Sequence, residues 1–444
     1  MKLQSKICFI NRKRCNFAQQ IYHHKIDMKT SYLNFASNSD YTWCTLPSGL
    51  KVVYRYTNSD VSYCGFVVDA GTRDEVEGEE GLAHYVEHML FKGTTNHKAS
   101  HILNCMESVG GELNAFTSKE ETVIYTVSLE PYLKRAISLM CDIIQNSNLP
   151  DSESIKEKEV IIDEINSYLD NPAEYIYDEF ENLIFNNHPL GHNILGDLNS
   201  LERITPQKGR NFIKEFYTSE NMVFFFTGRT KFEKVITIIE NATIEFRNNK
   251  PNLSRNSNLK YSCFNIHKEC DNYQSHAIIG GLCHNLFDRE RFNLYLLNNI
   301  LGGPGMNSML NIALREKRGY VYSVESSITN YSDTGLFTIY FGTDKKNIEK
   351  CYDIINKQLS LLCNKELSST KLLNAKRQYI GQLTISRENR ENLAISAGKS
   401  LLRHNKCRSL NDSIERIDRI TSKDILECAN KIYNKENLST LVLG

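Results

Sequence analysis

The sequence predicts an α+β fold of two similar domains, each a mostly antiparallel sheet packed with helices, and three observations lead there. From Tyr41 onward, short β-branched and aromatic runs bounded by glycine alternate with amphipathic stretches. The segment Arg247 to Asn258 holds a single large apolar residue, Leu253, and marks a linker. Beyond it the second half repeats the order of elements of the first, but without the histidine motif described below. The expected division is an extension at 1–40, expected to be disordered, a first domain at 41–246, a linker at 247–258 and a second domain at 259–444.

In chain order, Gly49 to Tyr56 and Ser62 to Ala70 read as strands rich in valine and tyrosine. The acidic run Arg73 to Glu80 reads as a solvated loop leading into a helix, where acids favour the amide dipole. Helical patterns follow at Gly81 to Leu90 and His101 to Val109, with Gly93 a plausible left-handed stop for the first. Glu112 to Val127 gives two strands or one long bent strand, and Pro131 to Gln145 a helix. A cap is expected at Asp151 or Ser152 for the next helix. Helix Thr205 to Tyr217, strand Asn221 to Gly228 and helix Phe232 to Asn241 complete the first half. The second half offers strands at His276 to Gly281, Tyr320 to Val324 and Gly335 to Gly342, and helices at Arg289 to Leu301, Ile348 to Leu362 and Ser369 to Gln382. Its Gly302-Gly303-Pro304-Gly305 lacks the Lys-Ser/Thr of a phosphate loop and reads as a turn.

Composition excludes several classes. With 53 basic and 53 acidic residues in 444, net charge is zero, and no polybasic block points to nucleic acid or anionic lipid. No run of eighteen apolar residues exists to span a membrane. The 13 cysteines are dispersed without a CxxC pair, which favours a reducing compartment. Residues 1–26 carry Lys2, Lys6, Arg12, Lys13, Arg14 and Lys25 and no acid. A disordered extension with Met28 as the functional start is favoured there over an organelle-targeting presequence, since the stretch is poor in Ser and Arg.

The chemistry concentrates in Gly81-Leu82-Ala83-His84-Tyr85-Val86-Glu87-His88. On a helix, His84 and His88 lie about 40° apart and converge on one ion, with Glu87 about 60° to the side of His84. Leu82, Ala83, Val86, Met89 and Leu90 occupy the opposite arc and are left to pack. HxxEH inverts the HExxH zincin order, and the inverted form is a zinc-protease signature. The alternative, a solvated helix with two surface histidines, stands until a third ligand is found. His97/His101 and His188/His192 do not supply it: the first pair has no acid nearby in sequence, and the second is interrupted by Pro189 and Gly191.

In Glu157-Lys158-Glu159-Val160-Ile161-Ile162-Asp163-Glu164-Ile165, the acids Glu157 and Glu164 return to within about 20° of one direction, flanked by Val160 and Ile161. Carboxylates inside an apolar arc need compensation. A metal would provide it, and so would a buried Arg or Lys.

HYVEHMLFKGT, GGELNAFTSKEETVIYT and EKEVIIDEI together resemble the pitrilysin or insulinase family of inverted-motif zinc metallopeptidases, in the two-domain type that includes mitochondrial processing peptidase and its bacterial relatives. The resemblance runs from about Tyr41 to the C-terminus. It implies one zinc ion per chain, held by His84, His88 and Glu164, the distal glutamate lying 164 − 88 = 76 residues beyond the second histidine. It implies Glu87 as general base and Glu157 as its supporting glutamate. Strand Leu113 to Thr117, with Asn114, Ala115 and Phe116, resembles the family's substrate-binding edge strand, to which a peptide adds as a further strand. Arg315 and Tyr322 match an Arg/Tyr pair that reaches into the family's active site. The implied protein is a zinc endopeptidase acting on unfolded peptides or presequence-like segments within a dimer chamber, a homodimer or a heterodimer with a zinc-less homologue. A bacterial cytoplasm with broad peptide cleavage is favoured over the mitochondrial matrix. The rival is a non-catalytic scaffold subunit, because fold alone does not separate the two.

Overall fold

The computed structural model describes residues 33, 35–253, 255, 259–270 and 273–444. Most of the expected N-terminal extension, with the Met28 start, and part of the expected linker lie outside these described residues.

Strands β1 (Phe35–Ser37), β2 (Thr42–Thr45), β3 (Lys51–Tyr56) and β4 (Val61–Val68) lead into helices α1 (Leu82–Leu90) and α2 (Ala99–Glu107). A hairpin of β5 (Glu112–Thr117) and β6 (Thr122–Leu129) follows. Helices α3 (Leu133–Asn146), α4 (Asp151–Leu169), α5 (Pro172–Ile184), α6 (Leu198–Arg203) and α7 (Pro206–Phe216) come next, then β7 (Met222–Gly228) and α8 (Phe232–Ala242). The second half runs β8 (Asn265–Lys268), β9 (Ser275–Leu282), α9 (Arg291–Gly302), a π-helical turn (Asn311–Glu316), β10 (Val321–Asn330) and β11 (Gly335–Thr343). It ends with α10 (Ile348–Asn364), α11 (Ser369–Ser386), α12 (Arg390–His404), α13 (Leu410–Arg419), α14 (Ser422–Ile432) and β12 (Ser439–Leu443).

The repeat seen in the sequence is written into the topology. The first sheet has the order β1-β2-β3-β7-β4-β6-β5 and the second β10-β11-β9-β12-β8. Taken from its β5 edge, the first sheet reads β5-β6-β4-β7-β3, which is the order of the second with each strand replaced by its counterpart. The parallel pair falls in the same place in both, β3 with β7 and β8 with β12. β7 (MVFFFTG) is buried along its whole length. A strand covered on both faces needs a continuous apolar run rather than alternation.

The covering layers are exchanged between the halves. Leu393, Ala394, Ala397 and Leu401 of α12 pack on Val53, Val67, Val123 and Phe225 of the first sheet. Gly398 permits the approach, since a Cβ there would lie 2.8 Å from Val67 Cγ2. Conversely, Ile176, Phe180 and Ile184 of α5 cover Ile278, Leu336 and Leu441 of the second sheet.

Two local expectations are corrected. The run Arg73 to Glu80 is not uniformly solvated: Arg73 pairs with Glu120 and Asp333, both at 2.6 Å, and Asp74 with Arg255 at 2.6 Å. Charges from the β5–β6 turn, the 247–258 segment and the β10–β11 turn converge there, and pairing allows the burial. Arg255 therefore ties down part of the stretch read as a linker, and its side chain is buried. The cap of α4 is also different, for Pro150 occupies the N-cap and no side chain closes it.

Candidate active site

Helix α1 is held at its start by Glu75, whose carboxylate accepts from the backbone N–H groups of Gly81 (2.9 Å) and Ala83 (2.7 Å). A carboxylate at a helix N-terminus fills orphan donors and meets the positive end of the dipole. Leu82, Ala83, Val86, Met89 and Leu90 are buried, as the helical arc requires. The helix ends at Leu90 with Phe91 as its C-cap, and Gly93, at φ 146°, follows outside it rather than forming the left-handed stop. The hydroxyls of Tyr85 and Ser154, 2.7 Å apart, join α1 to α4.

Those two helices bring three ligand atoms together. His84 Nε2 and His88 Nε2 lie 3.6 and 3.5 Å from the same oxygen, Oε2 of Glu164. All three atoms fall within 4.8 Å of one another, and the two imidazole rings are tilted by 70°. Burial, aided by His88, pushes His84 down to about 4, so it is a neutral imidazole near pH 7. Its Nδ1 is buried without a hydrogen-bond partner among the described residues. His88 is raised despite burial, because Glu164 and Glu157 face it, and Glu164 is lowered chiefly by its hydrogen bond to His88. Two imidazole nitrogens and one carboxylate within reach of one another are a donor set that fits zinc, and three protein donors are one fewer than a tetrahedral ion takes.

Glu157 lies behind His88. Its Oε2 is 3.2 Å from His88 Nδ1, and its Oε1 is 2.6 Å from Lys92 Nζ. This carboxylate is thus compensated by a lysine and at the same time meets a candidate ligand histidine. The predicted apolar arc around the two acids is one-sided, since Ile161 is buried but Val160 is 48% exposed. The Glu164 side chain is accordingly 45% exposed.

Glu87 is half-buried and accepts a hydrogen bond of 2.5 Å from Thr117 Oγ1. Burial raises its pKa, opposed by the Thr117 hydroxyl. Thr117 ends β5, which among the described residues pairs only with β6 and so leaves its other edge open there. Leu113 and Ala115 pack towards the core that contains α1. Asn114 and Phe116 share the opposite face of the strand, where the Phe116 ring meets Tyr125 and lies 5.1 Å from Lys399 Nζ. Of the three residues expected to contact substrate, Ala115 alone directs its side chain to the α1 face, and the others offer backbone.

Arg315 is exposed on the π-helical turn, and Tyr322, 58% exposed on β10, donates to Asp344 Oδ1 at 3.1 Å. Among the described residues, no hydrogen bond, ion pair or ring contact joins either to the α1 cluster. His97 and His192 are held in ion pairs away from the α1 cluster. His192 Nε2 lies 3.1 Å from Glu75, and His97, expected to have no acid, has Asp142 at 2.9 Å, supplied by α3.

In the second half α9 takes the place of α1 and carries no histidine. Its Asn298 and Tyr295 donate to Ser326 O and Asn330 Oδ1 of β10 instead. A grouping of His284, Asp288 and Glu290 also has atoms within 4.8 Å. Asp288 there is taken by His284 Nδ1 at 2.6 Å and Glu290 by Lys431 at 3.0 Å, which closes the group as an ion-pair cluster.

Glu75 takes the helix-start role expected of the acidic run, while the contacts of Thr117 with Glu87 and of Lys92 with Glu157 lie beyond the expected site residues, Lys92 being four residues past His88.

Comparison with known proteins agrees with this architecture. Residues 51–198 match the model for insulinase (peptidase family M16), and residues 203–379 that for the peptidase M16 inactive domain. An uncharacterised zinc protease of Rickettsia felis is 30% identical over 398 residues, spanning 89% of this chain and 96% of that protein. The uncharacterised zinc protease YmxG of Bacillus subtilis is 27% identical over 401 residues, spanning 90% and 97%. Among solved structures, a protease from Helicobacter pylori superposes with a TM-score of 0.85 at 22% identity, covering 91% of this chain and 99% of that one. A peptidase M16 inactive domain from Pseudomonas fluorescens gives 0.85 at 20%, covering 91% and 98%. At those identities the structures speak for the fold, whereas the sequence match over nearly all of both chains speaks for descent. The duplicated α+β architecture and the inverted histidine motif on its first helix thus have one source, and the chain belongs to the insulinase (M16) family of peptidases.

Proposed function

We propose that this chain is a zinc-dependent endopeptidase for extended peptides, with His84, His88 and Glu164 holding one zinc ion. The observation that carries this is the Glu87 carboxylate, half-buried, held by Thr117 at the end of a strand edge left open among the described residues, and one residue from a proposed ligand histidine.

Zinc, when bound, would polarise the scissile carbonyl and lower the pKa of water in the site. Glu87 takes a proton from the attacking water and passes it to the leaving amine, a role suited to a carboxylate whose pKa burial has raised. Thr117 fixes the carboxylate while this happens. The free N–H and C=O groups of β5 bind substrate main chain as an added strand, so many sequences are accepted. Glu157 orients His88 through Nδ1, which leaves Nε2 as the donor towards the metal.

A dimer extends this reading. Arg315 and Tyr322 are exposed and make no contact with the α1 cluster of their own chain, which leaves them free to serve the site of a second copy. The chamber between two copies would then admit unfolded segments. The named relatives are bacterial, and among the described residues no helix is long and apolar enough to cross a membrane. Both fit a bacterial cytoplasmic enzyme.

The test is hydrolysis of unstructured peptides by wild-type and Glu87→Gln protein with zinc measured on both. Cleavage lost with zinc retained supports the assignment, whereas a wild type that binds no zinc and cuts nothing favours a scaffold.

A further inference from the structure

We propose that the second half carries a binding site for a phosphate-class oxyanion, built by Arg291, Arg408 and Arg416 around the ring of Phe292. The three guanidinium carbons lie 4.6, 5.1 and 4.9 Å from the centre of that ring. They come from the first turn of α9, the segment between α12 and α13, and α13 itself.

Three like charges gathered at one ring repel, and a ring quadrupole is a weak substitute for a carboxylate. Among the described residues, none of the three makes an ion pair. Arg291 donates to the backbone oxygen of Asp288 at 2.6 Å, while Arg408 Nε is buried with no hydrogen-bond partner. The nearby acids Asp412 and Asp288 act on Arg408 and Arg291 from a distance but form no ion pair with them among the described residues. Asp412 accepts from Ser409 N at 2.9 Å, and Asp288 is held by His284 Nδ1 and Glu290 N at 2.6 and 2.8 Å. The field is felt locally: burial and the neighbouring Arg291 and Arg416 push Arg408 down to about 10, and burial and Arg408 push His404 down to about 4.

The ligand class follows from the charge. With His404 neutral the site carries three fixed positive charges and a buried unfilled donor. A single carboxylate would leave two of those charges uncompensated, whereas a phosphate dianion meets more of them and presents acceptor oxygens to forks approaching from several directions. Phe292, Arg408 and Arg416 are half-buried, so the site is open to solvent on one side. Next along α12, Arg403 pairs with Asp69 and Glu121 of the first half, which puts the site beside the junction of the two halves.

The test is calorimetric titration of the zinc-loaded full chain with inorganic phosphate and with pyrophosphate at constant ionic strength, using acetate as the monovalent control. Saturable one-to-one binding is expected, with the same affinity after zinc is removed by chelation, and weakened at least tenfold in Arg408→Gln and Arg416→Gln. A rise in the melting midpoint with phosphate should accompany it in the wild type and be lost in both variants. No saturable phosphate binding, or binding equally tight in folded variants, overturns the proposal, and binding that vanishes with zinc places the anion at the α1 cluster instead. Acetate binding as tight as phosphate overturns the ligand class.

Discussion

Glu157 accepts a hydrogen bond from His88: its Oε2 lies 3.2 Å from Nδ1, so the proton is held on that nitrogen and Nε2 faces Glu164. The tautomer of a ligand histidine is set by the partner of its other nitrogen, and removing such partners commonly lowers metal affinity by roughly 10–100-fold. Glu157→Ala should therefore weaken zinc binding by about that factor. Glu157→Gln should weaken it less, since an amide oxygen still accepts from Nδ1 although Lys92 loses its counter-charge. Competition with a chromophoric chelator measures both, and equal affinities in all three proteins would remove the orienting role.

Glu87→Gln keeps shape and hydrogen bonding to Thr117 but cannot take a proton. A fall in kcat of about 10²–10⁴-fold is expected, the range for loss of a positioned acid–base group, with zinc content unchanged. Turnover of a fluorogenic peptide with parallel metal analysis tests this, and a loss of zinc in step with activity would assign Glu87 a structural role.

Thr117 presents a hydroxyl to that carboxylate from the end of β5. Thr117→Val leaves the half-buried Glu87 without its donor, so kcat should fall by about tenfold while KM for peptides changes little, a positioning loss of about 1 kcal/mol. Thr117→Ser should restore most of the rate. A Ser variant as slow as Val would point to lost packing rather than a lost hydrogen bond.

How much of this was legible from sequence depends on how far each relationship reaches along the chain. His84 and His88 are one helical turn apart, so periodicity alone placed them on one face. The repeat was legible too, because strand and helix patterns recur in order. Thr117 meets Glu87 across 30 residues and Arg403 meets Glu120 across 283, with nothing in either local pattern to signal the contact. The run Arg73 to Glu80 misled for the same reason: its charges read as a solvated loop because their partners, Glu120, Arg255 and Asp333, are remote in sequence. Arg315 and Tyr322 keep the family's spacing, yet within one chain they make no contact with the α1 cluster among the described residues, and spacing alone carries no information on which copy they would serve.

The junction between the halves gives a prediction that links pH to stability. Arg403 is buried and bonds Asp69 at 2.5 Å and Glu121 at 2.9 Å, and Lys399 lies 2.6 Å from Glu121. Burial pushes Glu121 up, but Lys399 and Arg403 outweigh it and hold the carboxyl below its ordinary value. A carboxyl whose pKa is depressed on folding contributes stability that is fully present above its unfolded value, about 4.3, and is lost as pH falls through the lower folded value. Arg403→Gln removes one partner from a buried network, so near pH 7 it should destabilise by about 3 kcal/mol, the low end for breaking a buried ion pair because Lys399 and Arg255 remain. Below about pH 4 the wild type loses part of the same contribution, and the gap between the two should narrow. Thermal midpoints of both proteins from pH 7 to pH 3.5 measure it; acid loss of the zinc ligands affects both alike and drops out of the difference. A gap that stays constant across that range would mean that Arg403 acts through packing on the first sheet and not through its charge.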